Sequence, residues 1–154
     1  MFLIINALDF NKNNLILSQK MKNNVMNGSF YRLFYSDEHY SSKGLYLGFG
    51  LEEVSIEKYF NKLKCKFSKN KNKKIIGFLK TIERLILDIV PYKETKQPVY
   101  RIEEQLQNDF LKIFCSSNID TSYLSSAKLL LRISGIWVNE KDFGVTFRFF
   151  FIRQ

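Results

Sequence analysis

Apolar residues recur along this chain with two periods, and the change of period divides it. Between Lys73 and Val90, the residues Ile75, Ile76, Leu79, Ile82, Leu85, Ile86 and Ile89 fall three and four apart. That spacing predicts one long amphipathic helix, with Asn70 or Asn72 as its cap and Pro91 as its stop. Elsewhere the period is two or the apolar runs are short, which predicts strands. Leu15 to Met21 and Ser29 to Tyr35 flank Asn27-Gly28, a dipeptide that favours a tight hairpin turn. Leu45 to Leu51 is a short apolar run punctuated by Gly44, Gly48 and Gly50. Val54 to Tyr59 reads equally as a helical turn or a strand entry. Val99 to Leu106 and Phe110 to Phe114 lie either side of Asn108-Asp109 and predict a second hairpin. The Ser-rich stretch Ser116 to Ser126 reads as an exposed connection.

The last thirty residues predict a further hairpin, Ala127 to Val138 and Phe143 to Ile152, joined by the polar Asn139-Glu140-Lys141-Asp142. Side chains alternate across a strand. Phe143, Val145, Phe147, Phe149 and Phe151 therefore form an apolar face, and Gly144, Thr146, Arg148, Phe150 and Ile152 a mixed one. On the partner strand Arg132 and Ser134 interrupt one face, while Leu129, Leu131, Ile133 and Trp137 define the other. Together these elements predict an α+β, β-rich single domain over residues 1–154. Its expected form is a small curled or barrel-like antiparallel sheet with one long amphipathic helix and a C-terminal β-hairpin. The oligonucleotide-binding barrel, with its helix between the third and fourth strands, is one such arrangement, here elaborated by extra strands.

Composition supports the strand reading, because Phe and Tyr suit strands and the chain holds 15 Phe and 8 Tyr. Hydrophobic residues at 45% exclude a disordered chain. The formal charge of +9 favours an anionic partner without choosing among DNA, RNA and acidic lipid. Much of that charge is local. From Lys58 to Lys74 there are eight lysines and no acid. Within this run Lys62, Lys64 and Lys66 alternate with Leu63, Cys65 and Phe67, so an extended strand shows cations on one face and apolar groups on the other. Such a row at about 7 Å intervals suits a polyanion backbone. Lys69, Lys71, Lys73 and Lys74 continue it toward the helix. Arg132 and Arg148 are further candidate phosphate contacts, and Tyr31, Tyr35, Tyr46, Tyr59, Trp137 and Phe150 are candidate rings for base stacking.

Chemistry is harder to assemble. His39 is the single histidine, which excludes any site needing two imidazoles, and it reads as part of a solvated Asp37-Glu38-His39 turn. Asp88 with Glu94-Thr95-Lys96 echoes a metal-dependent nuclease set, but a helix end and a proline-bounded connector are the wrong context. A metal site from Asp88, Glu94, Glu103 and Glu104 is the remaining catalytic option, and the chain is expected not to be an enzyme. No cofactor, metal or small-molecule substrate is expected. Cys65 and Cys115 are too few for a disulfide framework and read as reduced thiols. The first ten residues are apolar but broken by Asn6 and Asp9, which argues against a signal peptide or membrane span. The expected location is intracellular, in the host nucleus or cytoplasm if the source is viral.

The segment Leu-Leu-Leu-Arg-Ile-Ser-Gly-Ile-Trp-Val-Asn-Glu-Lys-Asp-Phe-Gly-Val-Thr-Phe-Arg-Phe, with Tyr59-Phe60-Asn61-Lys62 upstream, resembles small basic proteins of AT-rich DNA viruses and mobile elements. Some of these are oligonucleotide-binding-barrel proteins that coat single-stranded DNA. The resemblance implies a replication role and self-association as a homo-oligomer. An acidic C-terminal tail, common in such coaters, is not the ending Phe-Ile-Arg-Gln. The expected function is thus non-catalytic single-stranded nucleic-acid binding, DNA in first place, with weak sequence preference. The alternative is a structural or accessory protein whose aromatic sheet face binds a partner and whose lysines only keep it in solution.

Overall fold

The computed structural model describes residues 3–23, 28–91, 95–114 and 122–152. Five strands close into a barrel, and we number them β1 (Leu45–Tyr59), β2 (Lys62–Phe67), β3 (Phe110–Ile113), β4 (Ser122–Val138) and β5 (Asp142–Phe151). The ring runs β1-β2-β3-β5-β4 and returns to β1. All neighbours are antiparallel except β3 and β5, which run parallel at Ile113 and Phe149. This is an oligonucleotide-binding-like barrel. The two α-helices among the described residues, α1 (Lys73–Asp88) and α2 (Arg101–Gln107), stand between β2 and β3. That placement differs from the expected one between the third and fourth strands, where the chain passes instead through residues outside the described set.

The barrel is filled by the inward residues of each strand. Leu63, Cys65 and Phe67 of β2, Leu111 and Ile113 of β3, and Phe143, Val145 and Phe149 of β5 are all buried. In β1 the inward set changes phase, from Leu45, Leu47, Phe49 and Leu51 to Val54 and Ile56. The change falls at Glu53, whose φ of 53° kinks the strand. One 15-residue strand therefore reads in the sequence as two elements. The same happens in β4, where the register to β5 shifts between Ile133 and Gly135. Leu129, Leu131 and Ile133 face inward before this bulge, and Ile136 and Val138 after it. Trp137 is thereby moved to the opposite face from the one its spacing predicts.

The bulge depends on Gly135. A Cβ there would lie 2.2 Å from the carbonyl oxygen of Tyr31 and 2.4 Å from the Phe30 ring. The strand Ser29–Ser36 pairs with β4 at this point, Tyr31 opposite Ile136, outside the barrel ring. Gly135→Ala is expected to destabilise the fold by about 2 kcal/mol or more through overpacking against backbone, which a thermal melt will report. Around Ser29–Ser36 the strands Leu15–Leu17, Met21–Lys22 and Ser41–Lys43 complete the expected N-terminal hairpin region. Asn27 lies outside the described residues, and Gly28 turns the chain at φ 129°.

Helix α1 forms over most of its predicted stripe, with Ile76, Leu79, Ile82 and Ile86 buried, but Ile89 lies beyond its end and is exposed, while Leu87, outside the stripe, is buried. Asn72 occupies the cap position without capping. Its side chain ties β1 to the residue after β2, accepting from the Glu52 N–H at 2.8 Å and donating to the carbonyls of Glu52 and Ser68. Helix α2 corrects the strand expected over Val99 to Leu106. Arg-Ile-Glu-Glu-Gln-Leu-Gln favours helix, and Ile102 and Leu106, one turn apart, are both fully buried. A seven-residue helix is marginal alone. The carboxylate of Glu83, on α1 and fully buried, accepts the N–H groups of Ile102 and Glu103 at 3.0 and 2.9 Å. Burial pushes the Glu83 carboxyl up to about 7, against the pull of these two amides. The expected loop from Ser116 to Ser126 is also corrected in part, since Ser122 to Ser126 belong to β4, paired with β1.

Candidate nucleic-acid interface

Outward residues of β2 and β3 meet across the barrel wall. Lys64 stands opposite Lys112, Lys66 opposite Phe110, and Leu63 opposite Ile113 on the inner side. Lys64 sits over the Phe110 ring at 4.1 Å. Two strands on, Arg132 of β4 stands directly opposite Arg148 of β5. Like charges in cross-strand register destabilise a sheet, and this wall carries two such pairs, with Lys64 also facing Glu57 of β1 on its other side. No ion pair to Lys62, Lys112, Arg132 or Arg148 occurs among the described residues.

Phe114 lies where β3 meets β5. It is 45% exposed, its N–H donates to the Phe149 carbonyl at 2.9 Å, and the Arg148 guanidinium lies 4.7 Å from its ring centre. Phe150 meets it edge-on at 5.8 Å. On the far side of Arg132 is the half-buried Tyr46 ring of β1, at 5.9 Å. The centre of the wall is a hollow of about 360 Å³ lined by Lys62, Lys112, Arg148, Phe114 and Gln105, over a floor that includes Phe149. Gln105 reaches it from α2, where its side-chain oxygen accepts the Lys112 N–H at 3.0 Å. Glu83 therefore supports this wall at one remove, by seating the helix that carries Gln105. Three cations, an exposed ring and an amide around one shallow hollow suit a phosphate with an unpaired base beside it.

The lysine run does not act as one surface. Lys62, Lys64 and Lys66 share the outer face of β2, as the alternation predicts, but Lys66 is bound to Glu57 at 3.1 Å and Lys69 to Asp109 at 3.3 Å. Lys71 and Lys74 line a different hollow, of about 240 Å³, beside Glu52 and Phe49. Lys73 starts helix α1 and is exposed. Only the first part of the run is thus placed with Arg132 and Arg148.

The ring candidates divide in the same way. Tyr31 is buried at 7% exposure and Tyr35 at 5%, which corrects their expected availability for stacking. Tyr35 is spent on the N-terminal segment, where its hydroxyl accepts from the Asn11 N–H and its ring packs against Phe10. Trp137, expected on the surface, is buried against Gly144 and lies under the Arg101 guanidinium at 5.0 Å. The bulge before it turns the ring off the inward face, and packing against Gly144 and Arg101 covers it on the outer one. Tyr46 and Phe150 do reach the wall, half-buried, and the Tyr59 side chain lies outside the described residues. Lys112, Phe110, Phe114 and Gln105 are additions. Phe110, Lys112 and Phe114 alternate with Leu111 and Ile113, so their shared outer face was legible in the sequence.

Other candidate chemistry is structural where described. Lys96 donates to the carbonyls of Asn139 and Glu140 at 2.7 and 3.0 Å, clasping the β4–β5 turn. Glu103 is held by Arg84 through both carboxylate oxygens. Glu94 and Cys115 lie outside the described residues. The Cys65 thiol is buried and pushed up to about 12 by desolvation, which makes it inert. Asp37 accepts the N–H groups of His39 and Tyr40, giving the expected solvated turn. No group of metal-ligating side chains occurs among the described residues, and no helix among them is long and apolar enough to cross a membrane. A larger hollow of about 610 Å³, between β1, β4 and the end of β5, is mainly apolar, with Lys128 and Glu52 at its edge.

Comparison of the chain with protein-family models, with curated proteins and with solved structures finds no match. The fold class is therefore read from the strand ring alone, and the site from its chemistry.

Proposed function

We propose that this protein binds single-stranded nucleic acid, DNA in first place, without catalysis. Phosphates lie against Lys62, Lys64, Lys112, Arg132 and Arg148, and bases stack on Phe114, Phe150 and Tyr46. The observation that carries this reading is the Arg132–Arg148 register beside the hollow that Lys62, Lys112 and Arg148 line together. Two guanidinium groups in cross-strand register repel each other, whereas a polyanion laid across them neutralises both and releases counterions. The second and third strands of an oligonucleotide-binding barrel present the face that such folds use for oligonucleotides, and here those strands are β2 and β3. Rings between the cations add sequence-tolerant stacking worth about 1–3 kcal/mol per base. A role in viral DNA replication, and self-association along the strand, remain part of the proposal on the strength of the resemblance alone.

The test is fluorescence anisotropy with labelled single- and double-stranded DNA and RNA at several salt concentrations. With five cations engaged, log affinity for single strands is expected to fall against log salt with a slope of about −3.5. Binding that ignores salt, or no binding to any single strand, overturns the proposal. Tighter binding to duplex than to single strands overturns the stacking component.

A further inference from the structure

Tyr59 pairs with Lys62, so β1 and β2 are joined by a two-residue turn, Phe60-Asn61. Phe60 is 90% exposed, by a wide margin the most exposed of the large apolar residues described. It also holds φ at 54°, in the left-handed region that a bulky side chain enters only at a cost. Asn or Gly relieves that cost at a hairpin turn, and neither stands at position 60. An apolar ring this open to solvent, on a backbone held in a costly conformation, is available to an external partner. Its surroundings are cationic. Lys58 and Lys62 flank it in the chain, both exposed, and Lys62 also lines the hollow on the barrel wall.

We infer that Phe60 is a base-stacking residue at the tip of the β1–β2 hairpin, extending the single-strand site beyond the barrel wall. This rests on the proposed function. The hairpin is paired without interruption from Val54 opposite Phe67 to Tyr59 opposite Lys62, so its tip is held by a rigid ladder rather than a mobile loop. A strand crossing the hollow beside Lys62 has its next base within reach of the ring. Stacking on an exposed ring reads no base edge and fits weak sequence preference.

The test uses the full chain and a thymidine oligonucleotide carrying a single 2-aminopurine, moved one position at a time. In the wild type, one position is expected to be quenched by Phe60. Phe60→Ala and Phe60→Gly are expected to weaken binding about tenfold and abolish that quench, whereas Phe60→Trp retains both. The salt slope is expected to stay unchanged in all three, because the ring contacts no phosphate. Phe60→Gly is also expected to raise the melting temperature, since glycine adopts positive φ without strain, so the weakening is not a folding defect. Wild-type affinity and quench in Phe60→Ala overturn the inference while leaving the wall reading intact. Failure of the wild type to bind any single strand overturns both. A change in elution volume with no change in affinity also overturns it, and marks Phe60 as a self-association contact.

Discussion

Reversing Lys62, Lys112 and Arg148 to glutamate together is expected to weaken single-strand binding by roughly a hundredfold or more near 0.1 M salt. All three side chains are exposed and border the same hollow. Each reversal replaces an attraction to phosphate with a repulsion, a change of order 2 kcal/mol at contact in water before screening. Because none of the three packs in the core, the melting temperature should hold, and the salt slope should flatten by about two units. The matched control is Lys71→Glu with Lys74→Glu. These change the net charge in the same direction but line the other hollow. Their expected effect is a factor of about two or three, from long-range attraction alone. Anisotropy at fixed salt separates the two outcomes. Equal losses in both variants would mean that net charge, not the wall, drives binding.

Removing the acceptor at Glu83 is expected to be the costliest change outside the barrel. Glu83→Ala leaves the N–H groups of Ile102 and Glu103 without a partner and opens a void between α1 and α2. The expected loss is about 3 kcal/mol, read by chemical denaturation. Glu83→Gln removes the charge and keeps one of the two acceptors, at the cost of one unpaired N–H. The folded-state carboxyl is raised from 4.5 to about 7, so between those values the folded chain keeps a proton that the unfolded chain has released. Stability must therefore fall as pH rises from about 4.5 through 7, by about 3 kcal/mol from this group, and level off above. Glu83→Gln should remove most of that slope. A wild-type profile that rises over the same window would refute the assignment. As Gln105 holds the Lys112 backbone from α2, Glu83→Ala should also weaken strand binding without altering a cation.

The bulged and kinked strands mark the boundary of what the pattern along the chain can say. A period-two reading places every side chain correctly as long as the strand stays regular. It therefore placed Leu63, Cys65 and Phe67 inward and Lys62, Lys64 and Lys66 outward. It failed at Ser134–Gly135, where one extra residue reverses the faces and takes Trp137 off the inward one, and at Glu53, where a left-handed residue splits one strand in two. The failures have a common cause. Bulges and kinks are set by which strands must curve to close the barrel, a property of the ring and not of any local run. Helix α2 was missed for a related reason, since its decisive cap is a carboxylate nineteen residues upstream.

By itself the sequence determined the binary pattern: the stripe of α1, the core faces of β2 and β5, the hairpin at the end, and the surplus of positive charge. These depend on residue type and spacing, which short-range geometry translates directly. Tertiary structure alone decided which cations stand together. Lys112 and Arg148 are 36 residues apart and Lys62 lies 50 before Lys112, yet closure of β2, β3 and β5 side by side brings them around one hollow. It also parted Lys71 and Lys74 from Lys62, though they are close in the chain, because α1 begins on another side of the barrel. A charge run is a property of the chain, whereas a charged surface is a property of strand pairing.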